Sequence, residues 1–226
     1  MKAAVILSGC GVYDGSEIHE SVFTLLALAE NNVEYQIFAP NKKQFHVINH
    51  LNGDVVNEER NVLQESARIA RGNAKDLREL LVQDFDMLVI PGGFGAAKNL
   101  NQWAISGPAG EIDEQIKTVI QSFVKSNKVL IALCMGPTVI AKALEGTAFK
   151  PLLSIGSCNA TSPYDIKAIQ QGLISIGSTV EDKDCKEVAV DHQLKIVSAP
   201  CYMMEASIVE VRENIKLAVR EGIKLI

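Results

Sequence analysis

The chain has 226 residues, 47% hydrophobic and 22% charged, which is the profile of a folded globular protein rather than a disordered or fibrous one. Its 22 basic and 27 acidic residues give a formal net charge of −5, and no stretch gathers Lys and Arg into a patch able to neutralise successive phosphates, so nucleic acid is not an expected partner. No apolar run approaches the roughly 18 residues that span a bilayer, and no membrane partner is expected either.

The first apolar run, Ala3 to Ser8, is too short for the core of a signal peptide and reads as a strand of a cytoplasmic protein. In Gly9-Cys10-Gly11-Val12-Tyr13-Asp14-Gly15-Ser16 the third glycine misses the GxGxxG spacing by one residue, so no dinucleotide cofactor is expected. From Ser16 to Glu30, the residues Ile18, Val22, Leu25, Leu26 and Ala29 recur with the spacing of one helix face. Glu17 there is placed to form a capping box with Asp14. Glu34 to Ala39 predicts a second strand, completing a βαβ start.

Pro40 to Asp54 is polar and irregular and carries His46 and His50. Their spacing suits two metal ligands on a helix, but no Glu follows His46 and no third ligand stands nearby, so a solvated loop is expected. Further helices are predicted over 58–70, 112–125, 137–144, 164–171 and 206–220, with strands at Met87 to Ile90 and Val129 to Leu133. Glu187 to Val190 and Leu194 to Ser198 flank Asp191-His192-Gln193 as a hairpin. The alternation predicts one α/β domain over residues 1–226, with a mostly parallel sheet, helices on both faces and a C-terminal β-hairpin addition.

Ligands of such folds bind where loops leave the carboxyl ends of the strands. One of those loops is Pro91-Gly92-Gly93-Phe94-Gly95, whose paired glycines can bring bare N–H groups to a developing oxyanion. A tight turn with positive φ explains the same glycines equally well. The other is Leu133-Cys134-Met135-Gly136-Pro137. Cys134 alone would pass for a small core residue. A strand that runs into Cys-x-Gly and a helix, however, has the pattern of a nucleophile elbow, and the helix N-terminus would lower the thiol pKa from the ~8.5 of free cysteine. Five cysteines without paired spacing fit neither a disulfide framework nor a zinc site and point to a reducing compartment.

"VIPGGFGAAKNL" followed some forty residues later by "ALCMGPTVIA" resembles the ThiJ/PfpI superfamily of class I glutamine amidotransferase-like proteins. Within it, "ILSGCGVYDGSEIHESV", "FAPNKKQFHVINHLNG", "ESARIARG" and "SAPCYM" resemble the ElbB branch, glyoxalase-like proteins also named for enhancing lycopene biosynthesis. The resemblance covers essentially the full length. It implies a flavodoxin-like three-layer sandwich, a homodimer, and a cysteine elbow that uses no metal or organic cofactor. It places Cys134 on the nucleophile, Glu20 on the acidic residue that hydrogen-bonds it, and the N–H groups of Gly93 and Met135 on the oxyanion site. The residues themselves do not choose between Glu17 and Glu20; the resemblance favours Glu20. Cys10, Glu17, His19 and Gly92 stand as candidates for lining the site, and the first loop could bring Cys10 near Cys134.

Many relatives carry a histidine about twenty residues after the elbow, where this chain reads Lys150 to Cys158 without one, and His192 falls in the hairpin turn. Peptide or glutamine hydrolysis needs a base that takes the thiol proton and returns it to a leaving amine, so both are disfavoured. An aldehyde carbonyl is already electrophilic. The expected activity is therefore a glyoxalase acting on small α-oxoaldehydes such as glyoxal or methylglyoxal. The alternative is a redox or metabolite sensor, or an accessory protein in isoprenoid-related metabolism, built on the same cysteine.

Overall fold

The structure, a computed structural model, describes residues 1–226. Its centre is made by the most apolar runs: β1 (Lys2–Ile6), β4 (Met87–Ile90) and β5 (Val129–Leu133) are buried at every position except Lys2. Strands with no polar alternation can be satisfied only by cover on both faces, as in a parallel sheet. With β2 (Glu34–Ala39), β3 (Ala74–Asp76), β8 (Ala189–Asp191) and β9 (Ile196–Ala199) they form a seven-stranded sheet in the order β3-β2-β1-β4-β5-β9-β8. All neighbours run parallel except the final β8–β9 hairpin, as expected. Two further short strands, β6 (Leu152–Leu153) and β7 (Thr179–Val180), pair separately.

The helices are α1 (Ile18–Glu30), α2 (Val62–Ile69), α3 (Trp103–Ser106), α4 (Glu114–Lys125), α5 (Gly136–Leu144), α6 (Ile166–Ser175) and α7 (Ile208–Lys224). α1 packs on α7 and α4 on α5, giving the helical layers of a flavodoxin-like sandwich. Caps set several helix starts. Asn61 accepts from the Gln64 N–H, so α2 begins at Val62 rather than 58, and Asp165 caps α6 in the same way. Ser207 and Glu210 form a reciprocal capping box that starts α7.

Two expectations about α1 are corrected. Its cap is Glu17 itself, whose Oε2 accepts from the Glu20 N–H at 2.6 Å, while Asp14 Oδ2 accepts from the Ile48 N–H at 2.7 Å and forms no capping box. Its apolar face is also not the buried one: Ile18, Val22 and Leu26 are 44%, 45% and 42% exposed, and Glu20, Ser21, Thr24, Ala27 and Leu28 face inward. Small side chains let α1 approach its neighbours closely. The hydroxyls of Ser21 and Thr24 satisfy themselves by donating to the carbonyls of Glu17 and Glu20 at 2.6 and 2.7 Å.

The 40–61 segment is less solvated than its composition predicts. Antiparallel bridges join Lys43 to Asn61 and Ile48 to Val55, and Gln44 and Val47 are buried. His50 Nε2 accepts from the Tyr13 N–H at 3.3 Å, and His46 keeps a buried, unpartnered Nδ1, so each imidazole has its own local surroundings.

Candidate active site

The sheet order turns back at β1 and β4, and the loops leaving those two strands part at that switch point and open a crevice. Around it converge the start of α1 after β1, the glycine turn after β4, the elbow after β5 and the turn after β9. Backbone contacts lock them together. The Glu17 N–H donates to the Gly92 carbonyl at 3.0 Å, the Phe94 N–H to the Val12 carbonyl at 2.8 Å, and the Cys134 N–H to the Ala199 carbonyl at 2.9 Å.

Cys134 ends β5 with φ of 53°, a left-handed conformation that costs an L-residue roughly 1–2 kcal/mol and turns the side chain out of the sheet's alternation. Its sulfur faces the N–H groups of Gly93 and Met135 and the Glu20 carboxyl. Glu20 is fully buried; its Oε2 accepts from the Gly92 N–H at 3.1 Å and its Oε1 from the Tyr202 N–H at 3.3 Å. Gly92 lies flat against both groups. A Cβ there would stand 2.3 Å from Cys134 Cβ, 2.8 Å from its Sγ and 2.7 Å from Glu20 Oε2, so only glycine lets thiol and carboxyl meet.

Protonation follows burial. Desolvation, helped by the neighbouring Glu17 charge, pushes the Glu20 carboxyl up from an ordinary 4.5 to about 8, against the hydrogen bonds from Tyr202, Cys134 and Gly92. The Cys134 thiol is also driven upward, first by burial and then by the Glu20 charge, while the Gly93 and Met135 N–H groups pull the other way. This corrects the expectation of a thiol acidified by the α5 N-terminus, because in a site only 6% exposed desolvation outweighs those dipoles. At neutral pH the pair therefore rests as carboxylic acid and thiol. The carboxylate that forms as Glu20 loses its proton is positioned to receive the thiol's.

Cys134, Glu20, Gly92, Gly93 and Met135 thus come together. Glu17 lies directly behind Glu20 as the helix cap, 8% exposed, and its own carboxyl is raised by burial. His19 sits at the outer rim, its Nδ1 2.9 Å from the Tyr202 hydroxyl. Cys10 is elsewhere: its thiol is surrounded by Glu65, Arg68, Asp14 and Arg60, toward α2 rather than toward the elbow. His192 is exposed in the hairpin turn, and no histidine ring hydrogen-bonds the Cys134 sulfur or the Glu20 carboxyl.

Two residues at the site carried no signal in local pattern. Tyr202 contributes through its backbone N–H, for which any residue would serve, and only the "SAPCYM" run marks its place. Tyr164 approaches from the turn before α6, and its phenol is pushed up to about 12 by burial and by the charges of Cys134 and Glu20.

Known proteins share this sequence pattern and fold. The chain is 36% identical over 226 residues to the human protein named glutamine amidotransferase-like class 1 domain-containing protein 3, mitochondrial, covering 99% of this chain and 83% of that protein. It is 34% identical to the ES1 protein homolog, mitochondrial, of Rattus norvegicus, covering 99% and 84%. Among solved structures, the isoprenoid biosynthesis protein with amidotransferase-like domain from Ehrlichia chaffeensis superposes with a TM-score of 0.90 at 34% identity, covering 100% of this chain and 99% of that one. Drosophila melanogaster DJ-1beta, at 16% identity and a TM-score of 0.55 over 99% and 94% of the two chains, shares the fold. Residues 12–199 match the DJ-1/PfpI family, and together with the full-length relatives they show that this chain is a member of it.

Proposed function

We propose that the protein is a cofactor-independent glyoxalase that converts small α-oxoaldehydes to 2-hydroxy acids. The observation that carries this reading is the trio of Cys134 thiol, Glu20 carboxyl and the paired Gly93 and Met135 N–H groups, to which no histidine ring hydrogen-bonds. Glu20 as carboxylate takes the thiol proton while sulfur adds to the aldehyde carbon, and the new oxyanion of the hemithioacetal is held by the two N–H groups. Glu20 hands that proton to the hemithioacetal oxyanion and so becomes a carboxylate again; it then takes the C1 proton as an enediolate forms and returns it to C2 while the hydroxyl proton passes between the two oxygens, leaving a thioester that water cleaves. Methylglyoxal plus water becomes lactate, with C1 oxidised and C2 reduced inside one molecule. A single proton-shuttling carboxyl with a pKa about 8 suits that internal exchange near neutral pH.

The test is methylglyoxal loss and lactate formation by wild type, Cys134→Ala and Glu20→Gln at equal concentration. Many turnovers by wild type and none by either variant support the reading; consumption of one equivalent without lactate overturns it in favour of a sensor. The sensor reading asks for a standing thiolate, which burial opposes, whereas the enzyme reading forms the thiolate only as Glu20 takes its proton.

A homodimer is proposed on the same footing. The exposed Ile18, Val22 and Leu26 of α1 form one stripe, extended by Ile208 and Val209 at the start of α7, where Arg212 pairs with Glu30 at 3.0 Å. Sedimentation that gives a dimer for wild type and a monomer for Val22→Glu supports it. The absence of paired cysteines favours the cytoplasm as compartment, and no helix is long and apolar enough to cross a membrane.

A further inference from the structure

Beyond the oxyanion N–H of Gly93 the chain continues into Phe94, and there a cleft of about 440 Å³ opens. Its walls are Tyr13, Ile48, Phe94, Ala104 and Tyr164, and Lys98 is its one charged lining residue. Two of those walls also stand beside the thiol site. Phe94 adjoins Gly93 in sequence, and Tyr164, whose ring meets Phe94 edge-on at 5.9 Å, is close enough to Cys134 and Glu20 to feel their charges.

Lys98 reaches the cleft by an irregular backbone. Residues Ala96–Leu100 form a turn of π-helix, a wide turn frequent at functional sites. It points Asn99 inward, where the amide donates to the carbonyls of Ser8 and Asp14 at 2.8 and 3.0 Å, and leaves its neighbour Lys98 facing out. The ammonium donates to the Tyr13 carbonyl at 2.9 Å and lies 5.4 Å from the centre of the Phe94 ring. It is half-buried, and Asp14 is the one acidic group whose field reaches it. Two of its three donors are uncommitted. A partly desolvated cation without a paired carboxylate, against aromatic walls, is a receptor for an anion carried on an apolar body.

The size of the cleft points the same way. At about 440 Å³ it lies within the range of about 300–1,000 Å³ that encloses drug-sized ligands, and a two- or three-carbon aldehyde would leave most of it empty. Resting on the reading of Cys134 as a carbonyl-directed nucleophile, we propose that the α-oxoaldehydes this site accepts extend to those bearing a carboxylate or phosphate on an aromatic or unsaturated body, with Lys98 as the residue that selects for the anion.

The experiment uses ligands that have no carbonyl to attack, so that occupancy of the cleft is read separately from turnover. The rate of Cys134 alkylation by iodoacetamide is followed by mass spectrometry in the full chain with benzoate, phenyl phosphate or benzyl alcohol present, for wild type, Lys98→Met and Lys98→Gln. At least one anion is expected to halve the rate at a concentration about tenfold below that of benzyl alcohol, the gain of a charge-assisted hydrogen bond, and whichever anion does so identifies carboxylate or phosphate. Both Lys98 variants should erase that advantage. Equal protection by all three compounds, no protection by any, or an anion preference that survives either folded Lys98 variant overturns the assignment. If the preference holds while methylglyoxal turnover is absent, the cleft stands and the glyoxalase reading falls alone.

Discussion

Two neighbouring strands of the sheet, β5 and β9, are each followed by a buried cysteine with a left-handed backbone: φ is 53° at Cys134, directly after β5, and 49° at Cys201, one residue further from the end of β9. Their surroundings differ. Cys134 is followed by α5 and meets Glu20 and the glycine turn after β4, so its sulfur faces one carboxyl and two N–H groups. Cys201 opens a single 3₁₀ turn, its N–H donates to Asn214 Oδ1 at 3.0 Å, and its carbonyl accepts from the Cys185 thiol at 3.4 Å. The Cys201 thiol is driven up by burial, and the N–H that faces it is that of Cys134, where the Cys134 sulfur has the pair from Gly93 and Met135. A strained cysteine turn is thus not a nucleophile by itself; it becomes a candidate only where loops from β1 and β4 arrive. The β9 turn instead works as support, because the residue after Cys201 supplies the N–H that holds Glu20 Oε1.

The sharpest way to break this contrast is to exchange the two thiols for alanine. Cys134→Ala should lower methylglyoxal turnover by on the order of 10⁴-fold or more, as loss of a nucleophile does, while Cys201→Ala should stay within about threefold of wild type. Comparable losses in both would mean that the β9 turn is part of the chemistry.

Glu20→Gln comes next, with a loss of about 10²–10⁴-fold in turnover. The same variant has a signature in stability. Between an ordinary 4.5 and about 8 the folded chain holds the Glu20 proton and the unfolded chain does not, so this group's stabilising contribution is complete below about pH 4.5 and is lost as pH rises to about 8. For a group this buried the span amounts to a few kcal/mol. Denaturant titrations at pH 5 and pH 8 should show wild type losing stability across the interval and Glu20→Gln losing less. The wild-type rate should rise over the same interval, as the carboxylate able to take the thiol proton accumulates. A flat wild-type rate through pH 8 would remove Glu20 as the base.

Gly92→Ala probes the contact that only the Cys134 turn possesses. The added Cβ cannot fit at 2.3 Å from Cys134 Cβ without moving the turn, and we expect a destabilisation of about 1–3 kcal/mol together with reduced turnover. The smallest effect concerns what the two turns share. At both positions the glycine variant should be more stable than the alanine variant by about 1 kcal/mol in chemical denaturation, since glycine alone adopts the left-handed conformation without cost. A difference at one position only would show that the backbone there relaxes.

How much of this was legible in the chain depends on how local each cause is. The apolar runs of β1, β4 and β5, the hairpin around His192 and the Cys-x-Gly turn are short-range patterns, and they stand where expected. The face of α1 was misread because periodicity records where apolar residues lie, whereas Ser21 and Thr24 can be buried once they bond back to their own helix. Cys10 shares a loop with the site in sequence yet faces Glu65 and Arg68, because the direction of a side chain in an irregular loop is set by what packs over it.

The sequence by itself therefore determined the alternation of strands and helices, the cysteine turn and, through the family resemblance, the choice of Glu20 over Glu17. Tertiary structure alone decided the protonation of the Cys134 and Glu20 pair, the part played by Tyr202 and the cleft that exposes Lys98. The physical reason is range: hydrogen-bonded caps and apolar periodicity act within a few residues, whereas desolvation and electrostatic fields depend on every segment that closes over a group. A carboxyl that would ionise near 4.5 on an open helix holds its proton to about 8 once α1, the glycine turn and the β9 turn have shut water out.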